Sequence, residues 1–324
     1  IATSIGLGIM QIGGGLNHLF DVPNNNSTKI LITILMVAIF LGSSLTGLNH
    51  GVKWLSNLNI LLGAILLIFI LIFGDLKFIL ESYTLAIFDY LQHFIEYSLR
   101  VNPYSGDDSW IQQWTVFYWA WVISWSPFIG GFVARVSRGR TIREFVVGVL
   151  IIPPLISFTW IAGFGGTAIK LALNHNDKLV HIVDKDYTVA LFELLSHFPL
   201  SEVTSSLAIV LIFIFIVTSA DSTTHIVAGM ATGGSINPTL KHKVLWGLLI
   251  GAISVAMTIA GGLKSLQTAS VITGLPFSII LLLMIFSLMR ALKREPIHHF
   301  KMTSIDDEKD YSISLEEREK QDEQ

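Results

Sequence analysis

The sequence contains no cysteine and few charged residues. Of its 324 residues, 52% are hydrophobic and 14% are Asp, Glu, Lys or Arg, whereas soluble domains carry about a quarter charged residues. The lack of cysteine excludes disulfide frameworks, thiolate metal sites and cysteine nucleophiles. A formal net charge of -3 gives no basic surface for nucleic acid. Because a water-exposed surface needs far more polar side chains, the composition predicts a membrane protein.

Sequence motifs for enzymatic chemistry are also missing. There is no HExxH pair, no Gly-x-Ser-x-Gly elbow and no phosphate-binding loop, and these are the patterns that mark metallohydrolases, serine hydrolases and ATP-driven pumps. The histidines show no paired spacing for a metal. We therefore predict a protein that is not an enzyme, with no cofactor and no nucleic-acid partner. The chain starts at Ile1 without a charged leader, and we expect it to be a fragment that lacks its true start.

Apolar runs near twenty residues recur along the chain, and this is the length that crosses about 30 Å of hydrocarbon as a helix. They predict an all-α integral membrane protein with a transmembrane domain over 1–290. Of the 45 acidic and basic residues, 17 fall between Arg290 and Gln324, so 291–324 is predicted to be a charged tail. The eight predicted spans are 1–20, 29–49, 56–74, 110–132, 144–169, 203–221, 243–262 and 268–289.

The positive charges predict the orientation in the membrane. Four arginines, Arg135, Arg138, Arg140 and Arg143, follow the fourth span. Alternating crossings place this loop on the same side as the tail, and short basic loops face the cytoplasm. The sequence therefore predicts a multi-pass protein of the cell membrane with a cytoplasmic C-terminus.

Two connectors on the other side are amphipathic. Apolar residues recur at three-to-four spacing over 77–99, which predicts a helix lying on the membrane interface. A shorter helix of the same kind is predicted over 187–197. Each is either a folded outer cap or an element of gating or assembly.

The fourth span carries an aromatic stripe. Five residues follow one another at intervals of three or four, which places them on one helical face: Trp114, Phe117, Trp121, Trp125 and Phe128. Aromatic faces attract diffuse cations such as quaternary ammonium groups. Pro127 has no N–H and its ring displaces the carbonyl of Ile123, which leaves that carbonyl available as a backbone acceptor. The pattern favours a lined pathway, with ordinary helix packing as the alternative.

The sixth predicted span ends in Thr218, Ser219 and Asp221. Adjacent hydroxyls with backbone carbonyls suit a hard cation. The alternative is that the hydroxyls return to carbonyls of their own helix and that the acid caps a helix or turn.

Small residues mark two further places. Ala2 and Gly6, Ser4 and Gly8, and the run 13–15 of glycines predict close approach of a neighbouring helix to the first span. Pro153-Pro154 and the glycines of 163–166 predict a bend or a hinge in the fifth span.

The residues of the fourth span identify a family. Residues 114–121, reading WTVFYWAW, then ISWSPF over 123–128 and FVARVSRGRTIREF over 132–145 strongly resemble the betaine/choline/carnitine transporter (BCCT) family. TSADS over 218–222 and ATSIGLG over 2–8 resemble its later motif and the start of its fifth helix. The resemblance covers essentially everything before the tail.

This resemblance implies a bacterial transporter with the LeuT-like fold, in which ten of twelve helices form two inverted repeats. The eight spans would be family helices five to twelve. The resemblance also implies a homotrimer in the lipid bilayer that imports a small-molecule osmolyte by alternating access, with sodium as the coupling ion.

Position by position, the resemblance assigns solute binding to Phe117, Trp121, Val122 and Trp125. It assigns ion binding to Phe128, to the carbonyl of Phe215, and to the hydroxyls of Thr218 and Ser219.

Val122 departs from the pattern of betaine carriers, many of which have Trp there. Val makes no cation–π contact, and the missing ring removes roughly 1–2 kcal/mol for a desolvated cation. Glycine betaine is the expected solute, with choline, carnitine, ectoine or a sulfonium analogue as alternatives. Proton coupling, exchange, and a sensor or channel without active transport remain open.

Overall fold

The computed structural model describes residues 1–46, 51–101, 109–174, 177–235 and 238–294. Within these ranges all regular structure is helical, as the apolar runs predict. The α-helices are α1 (Ala2–Phe20), α2 (Asn26–Thr46), α3 (Gly51–Phe73), α4 (Leu76–Gln92), α5 (Phe94–Ser98), α6 (Phe117–Val136), α7 (Ile142–Leu150), α8 (Ile152–Trp160), α9 (Thr167–Leu173), α10 (Asp177–Lys185), α11 (Ala190–Leu195), α12 (Ser201–Ala231) and α13 (Leu240–Arg294). Two π-helical segments, Ile111–Val116 and Ile161–Gly166, and a 3₁₀ turn, Tyr187–Val189, complete the order.

Six helical stretches among the described residues are long and apolar enough to cross a membrane: Asn26–Ser43, Lys53–Phe73, Ile111–Ala134, Ile142–Leu173, Ser201–Ala231 and Leu240–Arg294. The sequence predicts eight spans, and the difference has two sources. Helix α1 covers the first predicted span, but its Gln11, Asn17 and His18 lower its hydropathy. The last stretch contains two predicted spans, because α13 is interrupted only at Gly262, whose φ of 55° and ψ of -133° are not helical.

Helix α12 extends ten residues beyond the predicted end of the sixth span. The prediction stops at Asp221, whereas the helix runs to Ala231. Asp221 is 1% exposed and lies inside the helix, not at its end. The helix therefore continues past the predicted end of the span, and the position at which it leaves the membrane stays a prediction.

The fifth predicted span is interrupted at both of its marked places. Helix α7 ends at Leu150, and α8 begins with proline in its first turn, where the missing N–H costs no hydrogen bond. The glycines lie in the π-helical segment Ile161–Gly166. The regular α-helix is thus interrupted where the sequence marked it, while a bend or a hinge at these places stays a prediction.

The predicted outer connectors are helical with different bounds. Residues 77–99 form α4 and α5, which are separated at His93. Asp75 caps α4 by accepting a hydrogen bond from the Phe78 N–H. Residues 187–197 contain the 3₁₀ turn and α11, which ends at Leu195.

Two buried clusters form the core. The first joins α1, α2, α12 and α13 through Ile5, Ile9, Ile12, Ile32, Met36, Phe40, Ile216, Val217, Ala220 and Ile250. The second joins α3, the second π-helical segment, α11 and α12 through Leu66, Phe69, Ile70, Phe164, Phe192, Leu194, Leu195 and Ala208. Helix α12 contributes to both clusters and so holds the two parts of the core together.

The glycines of α1 permit the closest of these contacts. A Cβ atom at Gly8 would lie 1.7 Å from Ile216 Cδ1, and one at Gly15 would lie 2.4 Å from Phe192 Cζ. Neither position can carry a side chain without displacing its neighbour. The close approach predicted from these glycines is confirmed.

The chain divides into two compact units, Ile1–Ile279 and Ile280–Gln324. In the second unit, residues 280–294 form the end of α13 and are almost all exposed. The predicted tail, 291–324, lies mostly outside the described residues, and the boundary near residue 290 stays a prediction.

Candidate functional site

The aromatic helix begins with a π-helical segment. Residues Ile111–Val116 form this segment and lead directly into α6. Gln267 Nε2 donates a hydrogen bond to the carbonyl oxygen of Gln113, at 2.6 Å. A π-helical turn contains an extra residue and is frequent at functional sites. It also rotates the residues before it relative to those of α6.

Phe117 and Trp121 form the centre of the predicted stripe. Their rings are stacked, with centroids 5.6 Å apart and planes 7° apart, and Phe117 is 1% exposed. The indole N–H of Trp121 donates to Ser4 Oγ on α1, at 3.2 Å. Helix α6 therefore presents an indole whose ring and polar edge both have fixed partners.

A second aromatic face lies beside this stack. It forms an open groove of about 640 Å³ lined by Trp110, Trp114, Thr115, Tyr118, Trp119 and Val122. The rings of Trp114 and Tyr118 are stacked, with centroids 6.3 Å apart. Trp114 thus belongs to the groove, and the prediction of an unbroken stripe from Trp114 to Phe128 was wrong because the π-helical segment shifts the register.

The remaining predicted residues of α6 are more exposed. Val122 is 51% exposed and Trp125 is 39% exposed. Phe128 packs against Phe277 of α13, with ring centroids 5.7 Å apart. The residues assigned to solute binding are therefore divided between the stack, the groove and an open surface one turn further along.

Three of the predicted ion ligands, Phe215, Thr218 and Ser219, lie on α12. Thr218 Oγ1 donates to the carbonyl oxygens of Ile214 and Phe215, at 3.0 Å in each case. The structure thus brings together the Thr218 hydroxyl and the Phe215 carbonyl, two of the predicted ligands. The same bonds are the return of a hydroxyl to its own helix that the sequence left open. Ser219, the next residue, is half-buried.

The structure adds a group of hydroxyls that the sequence did not assign to the site. Thr3 Oγ1 and Ser270 Oγ lie 3.0 Å apart, and Ser124 Oγ lies 3.1 Å from Thr273 Oγ1. These contacts join α1, α6 and α13 next to Trp121. Ser4 had a sequence signal, its spacing from Gly8, but that spacing was interpreted only as helix packing.

Comparison with known proteins matches this chain to one family of transporters. The sequence model described as "BCCT, betaine/carnitine/choline family transporter" matches residues 1–297. The chain is 50% identical over 294 residues to the ectoine/hydroxyectoine transporter of Virgibacillus pantothenticus, covering 91% of this chain and 58% of that protein.

Two further relatives carry other solute names. The glycine betaine transporter OpuD of Bacillus subtilis is 43% identical over 296 residues, with 91% of this chain and 57% of that protein covered. The choline transporter BetT1 of Acinetobacter baylyi, described as osmo-independent, is 36% identical over 301 residues, with 91% and 57% covered. The chain spans a little under three fifths of the length of these curated relatives.

Proposed function

Because the chain belongs to the BCCT family of betaine, carnitine and choline transporters, we propose that it is part of a secondary active transporter that imports a compatible solute with sodium. The protein is an integral membrane protein of a family of osmolyte transporters, not an enzyme. The direction of transport, the coupling ion, and the residues that bind solute and ion are part of this proposal.

The proposed fold is the LeuT-like inverted repeat with alternating access around a site near the membrane midplane. In it, the eight predicted spans are family helices five to twelve, α13 supplying the last two on either side of Gly262. We further propose a homotrimer in the plasma membrane of a bacterium, with the Arg loop and the tail from residue 291 in the cytoplasm.

The stack of Trp121 on Phe117 is the observation that carries the solute proposal. A cation with diffuse charge binds over an aromatic face, and indole is the best such face. Trp121 and Trp125 follow at helical spacing, Val122 lies between them in sequence, and the Phe117 ring stacks on the first indole. We assign solute binding to these four residues.

The proximity of Thr218 Oγ1 to the Phe215 carbonyl supports the ion site. A hard cation takes several oxygen ligands, and hydroxyls and carbonyls meet this need without a charged residue. Ser219 Oγ is the proposed third ligand, and Phe128 on α6 flanks a second proposed ion.

Glycine betaine and ectoine are the two leading solutes. Glycine betaine suits an indole face, and OpuD bears that solute in its name. Ectoine is favoured by one residue, because Val122 leaves the cage round a quaternary ammonium group one aromatic face short. A relative named for ectoine is 50% identical to this chain. Choline and carnitine are the alternative solutes.

Uptake into cells that lack other osmolyte carriers tests the proposal. With the native carrier, labelled glycine betaine or ectoine should accumulate above its external concentration in sodium buffer and not in sodium-free potassium buffer. Equal accumulation in both buffers would remove sodium from the mechanism. Entry that stops at the external concentration would instead support a channel.

A competition panel identifies the solute. Unlabelled glycine betaine, ectoine, choline and carnitine are each added to labelled solute at rising concentration. The transported solute should compete at the lowest concentration. Failure of all four to compete would contradict the proposed solute class.

A further inference from the structure

We propose that Ser4 is a positioning residue for solute binding, which orients the indole of Trp121 by accepting its N–H. This inference rests on the proposed function of Trp121 and assigns a role to a residue of α1 outside the motif of α6.

The contact is long-range and specific. Trp121 Nε1 lies 3.2 Å from Ser4 Oγ, and 117 positions separate the two residues. Both side chains are half-buried. The indole N–H is a donor only, and a buried indole usually finds an acceptor. Ser4 supplies that acceptor from a different helix.

The indole has one remaining freedom that this hydrogen bond removes. Stacking on Phe117 fixes the plane of the Trp121 ring within 7° of its neighbour, and the ring of Tyr118 flanks it at 5.7 Å. Stacking alone allows the indole to slide or turn within that plane. The bond to Ser4 selects one position, and the direction of the aromatic face decides where a cation can bind.

Helix α1 is itself held at the position that Ser4 needs. The neighbouring residue Thr3 is bonded to Ser270 of α13, with 3.0 Å between the hydroxyl oxygens. Two residues after Ser4, a Cβ atom at Gly6 would lie 2.7 Å from Leu266 Cδ2. The α1 backbone therefore cannot rotate without breaking these contacts. Thr3 holds the helix in place, and Ser4 holds the indole.

The first test measures transport by the native carrier and its Ser4 variants. Ser4→Ala should raise KM for the transported solute about fivefold, the equivalent of one hydrogen bond, with Vmax within about twofold. Ser4→Thr keeps the hydroxyl and should restore KM. The control is Ser278→Ala on α13, whose hydroxyl donates to the Leu275 carbonyl of its own helix, and it should leave KM unchanged.

A double-mutant cycle separates positioning from packing. Trp121→Phe keeps an aromatic ring but lacks the N–H, so Ser4→Ala should have no further effect on KM in that background. An equal rise in KM in both backgrounds would overturn the proposal, and so would an unchanged KM in Ser4→Ala alone.

Thermal unfolding of the same four proteins in detergent reports the hydrogen bond without any solute. Coupling between the two positions in both Tm and KM is the expected result. Coupling in Tm without coupling in KM would mean that the bond is merely structural, which contradicts the proposal. A native carrier that accumulates none of the four solutes contradicts the proposed function instead, and the Tm cycle still decides whether the bond exists.

Discussion

Phe117 and Trp121 stack with nearly parallel rings on the first turns of α6, their centroids 5.6 Å apart. The buried Phe117 ring covers one face of the indole, and the ring of Tyr118 flanks it at 5.7 Å. Val122, the next residue along the helix, lies in the neighbouring groove. The two faces of α6 therefore differ in chemistry, and this difference predicts how substitutions change solute preference.

Val122→Trp should favour quaternary ammonium solutes. An indole at position 122, where many betaine carriers have Trp, supplies a further cation–π face of about 1–2 kcal/mol, which corresponds to a fall in KM for glycine betaine of about 5- to 30-fold. Val122→Leu is the matched control, because it adds volume without an aromatic face. If both variants change KM for glycine betaine equally, the effect is steric and the cation–π explanation is wrong.

Thr218→Ala should weaken the dependence on sodium. The variant loses a hydroxyl next to the Phe215 carbonyl, and losing one ligand worth about 1.4 kcal/mol raises the half-saturating sodium concentration about tenfold. Uptake at rising sodium concentration and fixed solute measures this shift. Thr159→Ala on α8, whose hydroxyl also returns to its own helix, is the control. An unchanged sodium curve in Thr218→Ala would exclude this hydroxyl as a ligand.

Gly15→Ala should destabilise the protein. The new Cβ atom would lie 2.4 Å from Phe192 Cζ, and overpacking of a buried ring costs about 1–3 kcal/mol. A lower Tm in detergent is the expected result. Gly42→Ala on α2 meets no atom within 4 Å, so it should keep or raise the Tm because alanine favours a helix. A Gly15→Ala protein as stable as Gly42→Ala would show that α11 does not press on α1.

Asp75→Asn should lower stability at neutral pH and have no effect in acid. The ion pair with Lys170 and the hydrogen bond from the Phe78 N–H lower the pKa of Asp75. A carboxyl whose pKa is lower in the folded state stabilises the protein above its unfolded pKa, which is about 3.9. This contribution is lost as the pH falls through the folded value.

The measurement is Tm between neutral pH and about pH 3 for the native protein and for Asp75→Asn, with Glu81→Gln as control. Glu81 pairs with Lys77 on an exposed face, where an ion pair contributes little. A constant difference in Tm at every pH would show that the charge of Asp75 is not the cause.

Local patterns predicted much of the fold. The glycines of α1 predicted close packing because a missing Cβ is a local property. Their partners, Thr188 and Phe192, lie more than 170 positions away in sequence, and no local pattern indicates which distant residue will pack there. The sixth span was predicted to end at Asp221, but the helix continues past this buried residue to Ala231.

In the candidate site, too, local features were predicted and distant contacts were missed. Helical spacing predicted that Phe117 and Trp121 share a face, since residues four apart are neighbours on a helix. The π-helical segment before them has no local sequence signature, so the placement of Trp114 was missed. The acceptor for the Trp121 N–H was missed for a different reason, because Ser4 meets it only when α1 packs against α6.

Removal of the indoles tests the central claim, that α6 binds the solute. Uptake kinetics and surface expression are measured for the native carrier, Trp121→Leu, Trp125→Leu and Trp54→Leu, whose indole on α3 is exposed. We predict that each α6 variant raises KM by about 5- to 30-fold at normal expression, and that Trp54→Leu keeps the native KM. A native KM in both Trp121→Leu and Trp125→Leu would contradict a solute site on this helix.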